Sequence, residues 1–340
     1  MGEGMPATVV VGGFFGDEGK GKVIAYMALR DRPSIAVRGG VGPNAGHTFT
    51  IDGRAYKVRM LPSAVAYRGC RLMIGAGVLV DPGVLLKEVE EFDARARTVV
   101  DANAGVIEHR HKEMDRSEHA RVIGTTGSGS GPANAERVSR MLKLVRDLRD
   151  EGLAGLAGDV SLLVNEALDR GEHVLVEGTQ GTFLSLYHGT YPFVTSKDVT
   201  ASAICSDVGI GPKRVDDVLL VFKAYVTRVG AGTLENELDR EEARRRGWLE
   251  VATVTGRERR AAPFNMALAK RAVMLNSATQ IAVTKIDVLF PECKHARAYE
   301  QLSTAARRFI ESIEDELRVS VTLIGTGEDI YDMVDRRRGG

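Results

Sequence analysis

The chain is poor in the residues that mark several protein classes. It has only three cysteines, Cys70, Cys205 and Cys293, scattered and odd in number. That argues against a disulfide framework or a cysteine-based metal site, and it suits a reducing compartment. It has no excess of either charge: 46 Lys and Arg balance 46 Asp and Glu. Neither nucleic acid nor an acidic membrane is thereby indicated as a partner. No apolar run approaches the length of a membrane span, and no basic segment followed by an apolar stretch opens the chain. Together these absences indicate a cytoplasmic protein. No G-x-G-x-x-G follows the first strand candidate, which counts against a dinucleotide-binding dehydrogenase. What is present is 44% apolar and 27% charged residues in 340, enough for a sizeable globular core.

Short apolar runs alternate with helical patterns. Strands are expected at 8–11, 35–38, 71–74, 173–176, 218–225, 280–283 and 319–324. Helices are expected over 82–94, 133–148, 160–170, 264–277 and 304–317, with a further one running through 23–29. Continuous apolar strands separated by helices predict an α/β fold, with a mainly parallel central sheet flanked by helices. Asp159 is placed to cap the helix at 160 and Gly171 to end it. Asp52-Gly53 between two alternating segments predicts a β-hairpin with a type I′ turn. The charged stretch 93–121 is expected on the surface. Residues 1–335 are expected to form one domain, and the basic end 336–340 a frayed tail.

The most informative segment is Gly16-Asp17-Glu18-Gly19-Lys20-Gly21-Lys22. It lies between an apolar strand and a helix, where glycines permit close backbone approach and the helix end offers free N–H groups to an anion. Two lysines add charge for phosphate. The spacing Gly16-x-x-x-x-Gly21-Lys22 nearly matches a P-loop, but Val23 stands where a Ser or Thr would hold magnesium. Asp17 and Glu18 beside bound phosphate call for a bridging cation or a general base.

Other loops carry complementary chemistry. His47 ends a glycine-rich loop and can donate a proton or bind phosphate. The run 123–132 packs glycines and hydroxyls before a helix. Gln180 follows the strand at 173–176, and Thr195 lies in a loop soon after; Gln180 could read a base edge and Thr195 could bind phosphate. Arg257, Arg259 and Arg260 beside Thr253 and Thr255 offer guanidinium forks for carboxylates. In Thr284-Lys285-Ile286-Asp287 the carboxylate can accept both N–H donors of a guanine edge, a pair adenine lacks. His109, His111 and His119 lie close in sequence but show no clear ligand pattern. A GTP-hydrolysing switch protein would need the phosphate loop and TKID, but not the arginine cluster.

The motifs GDEGKGK, NAGHT, LPS, VDP, IGTTGSGSGP, EGTQGT, HGTYPFVTS, GIGP, TRVGAG, TGRERR and TKID occur in this order from Val9 to about Gly327. On them the chain resembles the adenylosuccinate synthetases, in a shorter form than the usual bacterial one. The resemblance implies a P-loop-NTPase-like fold with a small hairpin insertion and a surface helical subdomain. It implies the reaction of GTP, IMP and L-aspartate to adenylosuccinate, GDP and phosphate, with Mg2+ and through 6-phosphoryl-IMP. By resemblance, Asp17 is the general base and a metal ligand, and the Gly46 carbonyl is a second ligand. His47 acts as an acid, with Lys20 and Gln180 also catalytic. GTP would meet Gly16, Glu18, Gly19, Gly21, Lys22, Gly46, Thr48, Lys285, Asp287 and Gly327, with Glu18, Lys20 and Lys22 lining the region between IMP and the phosphates. IMP would meet Asn44, Thr126, Gln180, Thr195, Val229 and Gly230, and Arg140 from a neighbouring subunit, which implies a homodimer with shared sites. Thr255, Arg257 and Arg259 would hold the aspartate carboxylates. The chain departs from the family in having Phe15 for a usual Trp, Ser128 for a usual Arg and Glu258 for a usual Pro.

Overall fold

The apolar run that opens the chain becomes an interior strand of a ten-stranded sheet. The computed structural model describes residues 7–117, 123–149, 151–251 and 256–337. In chain order the strands are β1 (Ala7–Gly12), β2 (Ile35–Arg38), β3 (His47–Ile51), β4 (Arg54–Val58), β5 (Arg71–Ile74), β6 (Leu79–Val80), β7 (Thr98–Asp101) and β8 (Gly105–Val106). They continue with β9 (Ala157–Gly158), β10 (Val174–Glu177), β11 (Val215–Lys223), β12 (Tyr225–Arg228), β13 (Arg260–Pro263), β14 (Gln280–Thr284), β15 (Val321–Gly325) and β16 (Met333–Asp335). The large sheet runs β16-β15-β14-β11-β1-β10-β2-β5-β7-β9, parallel except at β15–β16. Helices cover both faces, so alternate side chains enter two cores. Val9 and Val11 join one, and Val10 joins the other. A strand buried on both faces needs no polar alternation, which is why β1, β2 and β10 read as unbroken apolar runs.

The strand order reverses at β1. The chain leaves it through helix α1 (Lys20–Asp31) to β2, which lies two strands away on one side, while β11 lies on the other. The loops after β1, β2, β10, β11, β14 and β15 therefore gather at one end of the sheet, where open α/β sheets bind ligands. The hairpin β3–β4 stands beside this end. Its turn residues Asp52 and Gly53 have φ of 48° and 76°, as a type I′ turn requires. Ile330 N–H donates to Thr50 O at 2.9 Å, tying the C-terminal segment to the hairpin.

Several expectations need correction. The helix expected over 133–148 spans Ser130–Val138 and stops because Arg140 turns left-handed, with φ 64°. Residues 142–145 then pass beside β8 in an extended path, so the apolar spacing of Leu142 and Val145 reflects burial there and not a helix. The strand expected over 218–225 breaks after Lys223, and β12 pairs antiparallel with β13 instead. The stretch 93–121 is not simply surface: β7 lies inside the sheet, and Val100, Ala104, Val106 and Ile107 are buried. Arg336 and Arg337 are not frayed. Arg337 pairs with Asp31 at 2.6 Å and Arg336 with Glu314 at 2.8 Å. Asp159 caps its helix as expected, accepting from Leu162 N–H at 2.9 Å. Among the described residues no helix is long and apolar enough to cross a membrane.

Candidate active site

At the C-terminal end of the sheet a cleft of about 860 Å³ opens between the loops. Its floor is the turn from β1 to α1. Gly21 lets α1 approach the hairpin, because a Cβ there would sit 2.9 Å from the His47 Cβ. Glu18 is buried and bends back into its own loop. One oxygen accepts from Phe14 N–H (3.0 Å) and Gly16 N–H (2.8 Å), and the other from Lys20 Nζ (2.7 Å). The Glu18 carboxylate thus shapes the loop that would cradle an anion. Lys22 spends two of its three donors on the Gly327 and Asp332 carbonyls, each at 2.7 Å. Burial lowers its pKa to about 8.

Asp17, Gln180 and Lys285 all carry positive φ, at 60°, 55° and 63°. Such backbone is costly for residues other than glycine, and here three instances fall on loops at the same cleft. The positive φ values at Arg32, Ser277 and Arg318 are ordinary helix C-caps by comparison. The Asp17 carboxylate lies 2.9 Å from Arg259 Nε.

His47 lies at the start of β3, and its Nδ1 contacts Glu177 Oε1. The same nitrogen lies 2.8 Å from Arg38 Nη1, so it sits between a carboxylate that only accepts and a guanidinium that only donates. Glu177 is fully buried. It also accepts from Arg38 Nη1 (2.6 Å), Ser63 Oγ (2.9 Å) and Ser63 N–H (2.7 Å). Burial, reinforced by Arg38, pulls the His47 pKa down to about 4 against the opposing pull of Glu177, so the ring is neutral near pH 7. Burial alone would raise the Glu177 pKa, but Arg38 and His47 outweigh it and lower it.

Several polar atoms around the cleft are buried with no hydrogen-bond partner among the described residues: Asn44 Oδ1, Thr48 Oγ1, Arg259 Nε and Asp287 Oδ1. Asn44 uses only its amide nitrogen, on Thr195 Oγ1 at 3.2 Å. Buried polar groups are rarely left unpaired, so these oxygens await a bound partner. Burial raises the Asp287 pKa, partly offset by Lys285.

The cleft is lined by Gly16, Asp17, Glu18, Gly19, Lys20, Gly21, Lys22, Asn44, Gly46, His47, Thr48, Thr126, Gln180, Thr195, Val229, Arg257, Arg259, Lys285 and Gly327. Gly230 lies just behind Arg257, with its carbonyl accepting from Arg260 at 3.0 Å. Asp287 sits two residues beyond Lys285, on the short helix Ile286–Leu289. Arg140 does not reach this cleft; it is exposed after the helix Ser130–Val138. Thr253 and Thr255 lie outside the described residues, as does His119. Of the other histidines, His111 is buried against Glu136 at 3.0 Å and His109 is exposed beside Glu113. Among the described residues no group of three or more His, Cys, Asp or Glu could hold a metal.

The motif reading missed Arg38, Glu177, Lys223 and Glu250. Three of these share a signal: each is the charged last residue of a strand in the parallel sheet, at the end of β2, β10 or β11. A charge closing a buried apolar strand sits at the ligand end by construction. Glu250 carries no such mark.

A family model described as adenylosuccinate synthetase matches residues 9–155 and 150–294. The chain belongs to the adenylosuccinate synthetase family. Its activity is the GTP-dependent joining of IMP and L-aspartate to give adenylosuccinate, GDP and phosphate, in AMP synthesis. It is 54% identical to the adenylosuccinate synthetase of Methanocaldococcus jannaschii over 98% of this chain and 97% of that one. It is 52% identical to the enzyme of Archaeoglobus fulgidus over 98% of this chain and 99% of that one. The fold is that of the fully ligated adenylosuccinate synthetase from Plasmodium falciparum, with a TM-score of 0.90 at 24% identity, covering 97% of this chain and 99% of that chain. A succinoaminodeoxyadenylate synthetase from cyanophage S-2L, solved with dGMP and dATP, superposes with a TM-score of 0.81 at 26% identity, covering 98% and 96% of the two chains.

Proposed function

We propose that the cleft around Asp17 and His47 carries out the family reaction with the following division of labour. Asp17 removes the N1 proton of IMP. The hypoxanthine oxygen O6 then attacks the γ-phosphorus of GTP, and GDP leaves. The amine of L-aspartate displaces phosphate from C6. The observation that carries this reading is the convergence of Asp17, His47, Lys20 and Gln180 on one cleft with the unpartnered Asn44 and Thr48 oxygens.

His47 presents Nε2 beside the phosphate loop while Glu177 holds Nδ1. The ring is neutral until anionic phosphate favours its protonated form, which can then donate to the charge that develops on transfer. Lys20 and the N–H groups at the start of α1 receive phosphate, with the third donor of Lys22. Asp287 and Lys285 read guanine, and the orphaned Asp287 oxygen suits an N–H donor of that base. Asn44, Thr126, Gln180, Thr195, Val229 and Gly230 hold IMP, and Arg257, Arg259 and Thr255 take the aspartate carboxylates.

Magnesium fits the donor set. The Asp17 carboxylate and the Gly46 carbonyl are hard oxygens on the same cleft, and a Mg2+ site made of one carboxylate plus phosphate oxygens is ordinary. When bound it would neutralise charge on the phosphates; Asp17 and Gly46 would hold it. The exposed position of Arg140, beside exposed Val138 and Met141, supports its service to a neighbouring subunit's IMP in a homodimer. Three scattered, unpaired cysteines support a cytoplasmic location.

The test is phosphate release from GTP and magnesium, with IMP and aspartate added singly and together while purine absorbance is followed. Release only with both substrates, accompanied by an absorbance change, is expected. Release from GTP alone would favour a GTPase.

A further inference from the structure

Behind Arg259 lies a chain of alternating charges, two members of which, Lys223 and Glu250, the division of labour above does not use. Lys223 ends β11 and is buried. Its Nζ lies 2.9 Å from Glu250 Oε2 and donates to Thr227 Oγ1 at 2.8 Å. The same Glu250 oxygen meets Arg259 Nη1, and the other Glu250 oxygen accepts from the Tyr225 hydroxyl. Arg259 Nε then reaches Asp17 at 2.9 Å. The order is Lys223, Glu250, Arg259, Asp17: two cations and two carboxylates, summing to zero.

The backbone repeats the pairing. Arg259 N–H donates to Glu250 O at 2.8 Å, and Val251 bridges Glu258. Residues 250 and 259 thus clip together the backbone that flanks Arg257. Glu250 lines the cleft, where a free carboxylate would repel a dicarboxylate substrate. Its charge is instead consumed by Lys223 and Arg259. Burial would raise its pKa, but these two cations outweigh it and hold it near about 2, so it stays ionised. Arg259 is nine-tenths buried, and among the described residues its Nη2 has no partner. A guanidinium held through Nη1, with Nε against Asp17 at ion-pair distance but without hydrogen-bond geometry, keeps Nη2 to offer in a set direction.

We propose that Glu250, anchored by Lys223 and Tyr225, is a positioning residue that aims Arg259 at the carboxylate of L-aspartate and keeps Asp17 from becoming the sole counter-ion of that arginine. This rests on the assignment of Arg259 to the aspartate carboxylates. Without the Glu250 charge, Arg259 turns wholly to Asp17, and the aspartate site loses its preset fork.

The experiment is steady-state kinetics on Glu250→Gln, Glu250→Asp and Arg259→Leu, with KM measured separately for aspartate, IMP and GTP. Glu250→Gln is expected to raise the aspartate KM by about tenfold or more, with the IMP and GTP KM values within about twofold. Glu250→Asp, which keeps the charge, is expected to recover most of that loss. Should Glu250→Gln not fold, the double variant Lys223→Met/Glu250→Gln keeps the charge balance and is expected to show the same selective rise. An unchanged aspartate KM, or an equal rise for all three substrates, would overturn the proposal, as would Glu250→Asp being no better than Glu250→Gln. Arg259→Leu separates the two layers. If it leaves the aspartate KM unchanged, the assignment of Arg259 fails; if it raises that KM while Glu250→Gln does not, only the positioning role fails.

Discussion

Replacing Glu177 with Gln tests the site where fold and chemistry share one group. The carboxylate is fully buried at the end of β10 and accepts from Arg38, His47 and both donors of Ser63. An amide has one acceptor oxygen and brings two N–H donors against the Arg38 guanidinium and the Ser63 N–H, which can only donate. Arg38, itself 1% exposed, loses its counter-charge. Removing one partner of a buried ion pair costs about 3–5 kcal/mol, and an unsatisfied buried donor about 1–3 kcal/mol, with overlap between the two. A loss of about 4 kcal/mol is expected. With an m-value of about 3 kcal/mol/M, that moves the urea midpoint down by about 1.3 M. The variant should also lose turnover by about 10²–10⁴-fold, the usual worth of a positioned acid, because the carboxylate that holds the His47 ring and offsets Arg38 beside it is gone. Equilibrium urea unfolding followed by fluorescence, alongside phosphate release under saturating substrates, reads both effects. A midpoint within about 0.2 M of the parent would refute the claim that Glu177 balances Arg38 and His47.

Asp17→Ala should abolish IMP- and aspartate-dependent phosphate release while leaving the far-ultraviolet circular dichroism unchanged; near-normal release would remove Asp17 from the base role. Asp287→Asn should cut the preference for GTP over ATP by about ten- to a hundredfold, since a buried acceptor for two donors becomes a mixed amide; an unchanged ratio of kcat/KM values would count against base reading there. His47 has a folded pKa of about 4 against an ordinary 6.5, so below pH 6.5 the unfolded chain takes up a proton that the folded protein refuses. Stability should therefore fall as pH drops from 6.5 to 4, by about 3 kcal/mol in all from this group. His47→Gln should flatten that part of the pH–stability curve, and a slope identical to the parent would show that other groups set it.

The sequence by itself determined the parallel α/β class, the Asp52-Gly53 hairpin, the phosphate loop and the ordered motifs that carry the family resemblance. Each rests on local physics: period-two or unbroken apolar runs, turn residues that tolerate positive φ, and glycines at a helix start. The sequence also placed His47 and Asp287 at the ends of strands or loops without stating their neighbours. Only the tertiary structure decided that β7 enters the sheet, because the burial of Val100 depends on β5 and β9 and not on its charged flanks. Only it decided that the helix after Ser130 ends at Val138, since the extended path of residues 142–145 is fixed by pairing with β8. The partners of His47 and Arg259 were equally invisible. Glu177 lies 130 residues from His47, and Lys223 lies 27 from Glu250; no local pattern encodes contacts made by the convergence of strand ends. A charge becomes structural or chemical according to what faces it, and in this chain the faces are brought together by the reversal of strand order at β1.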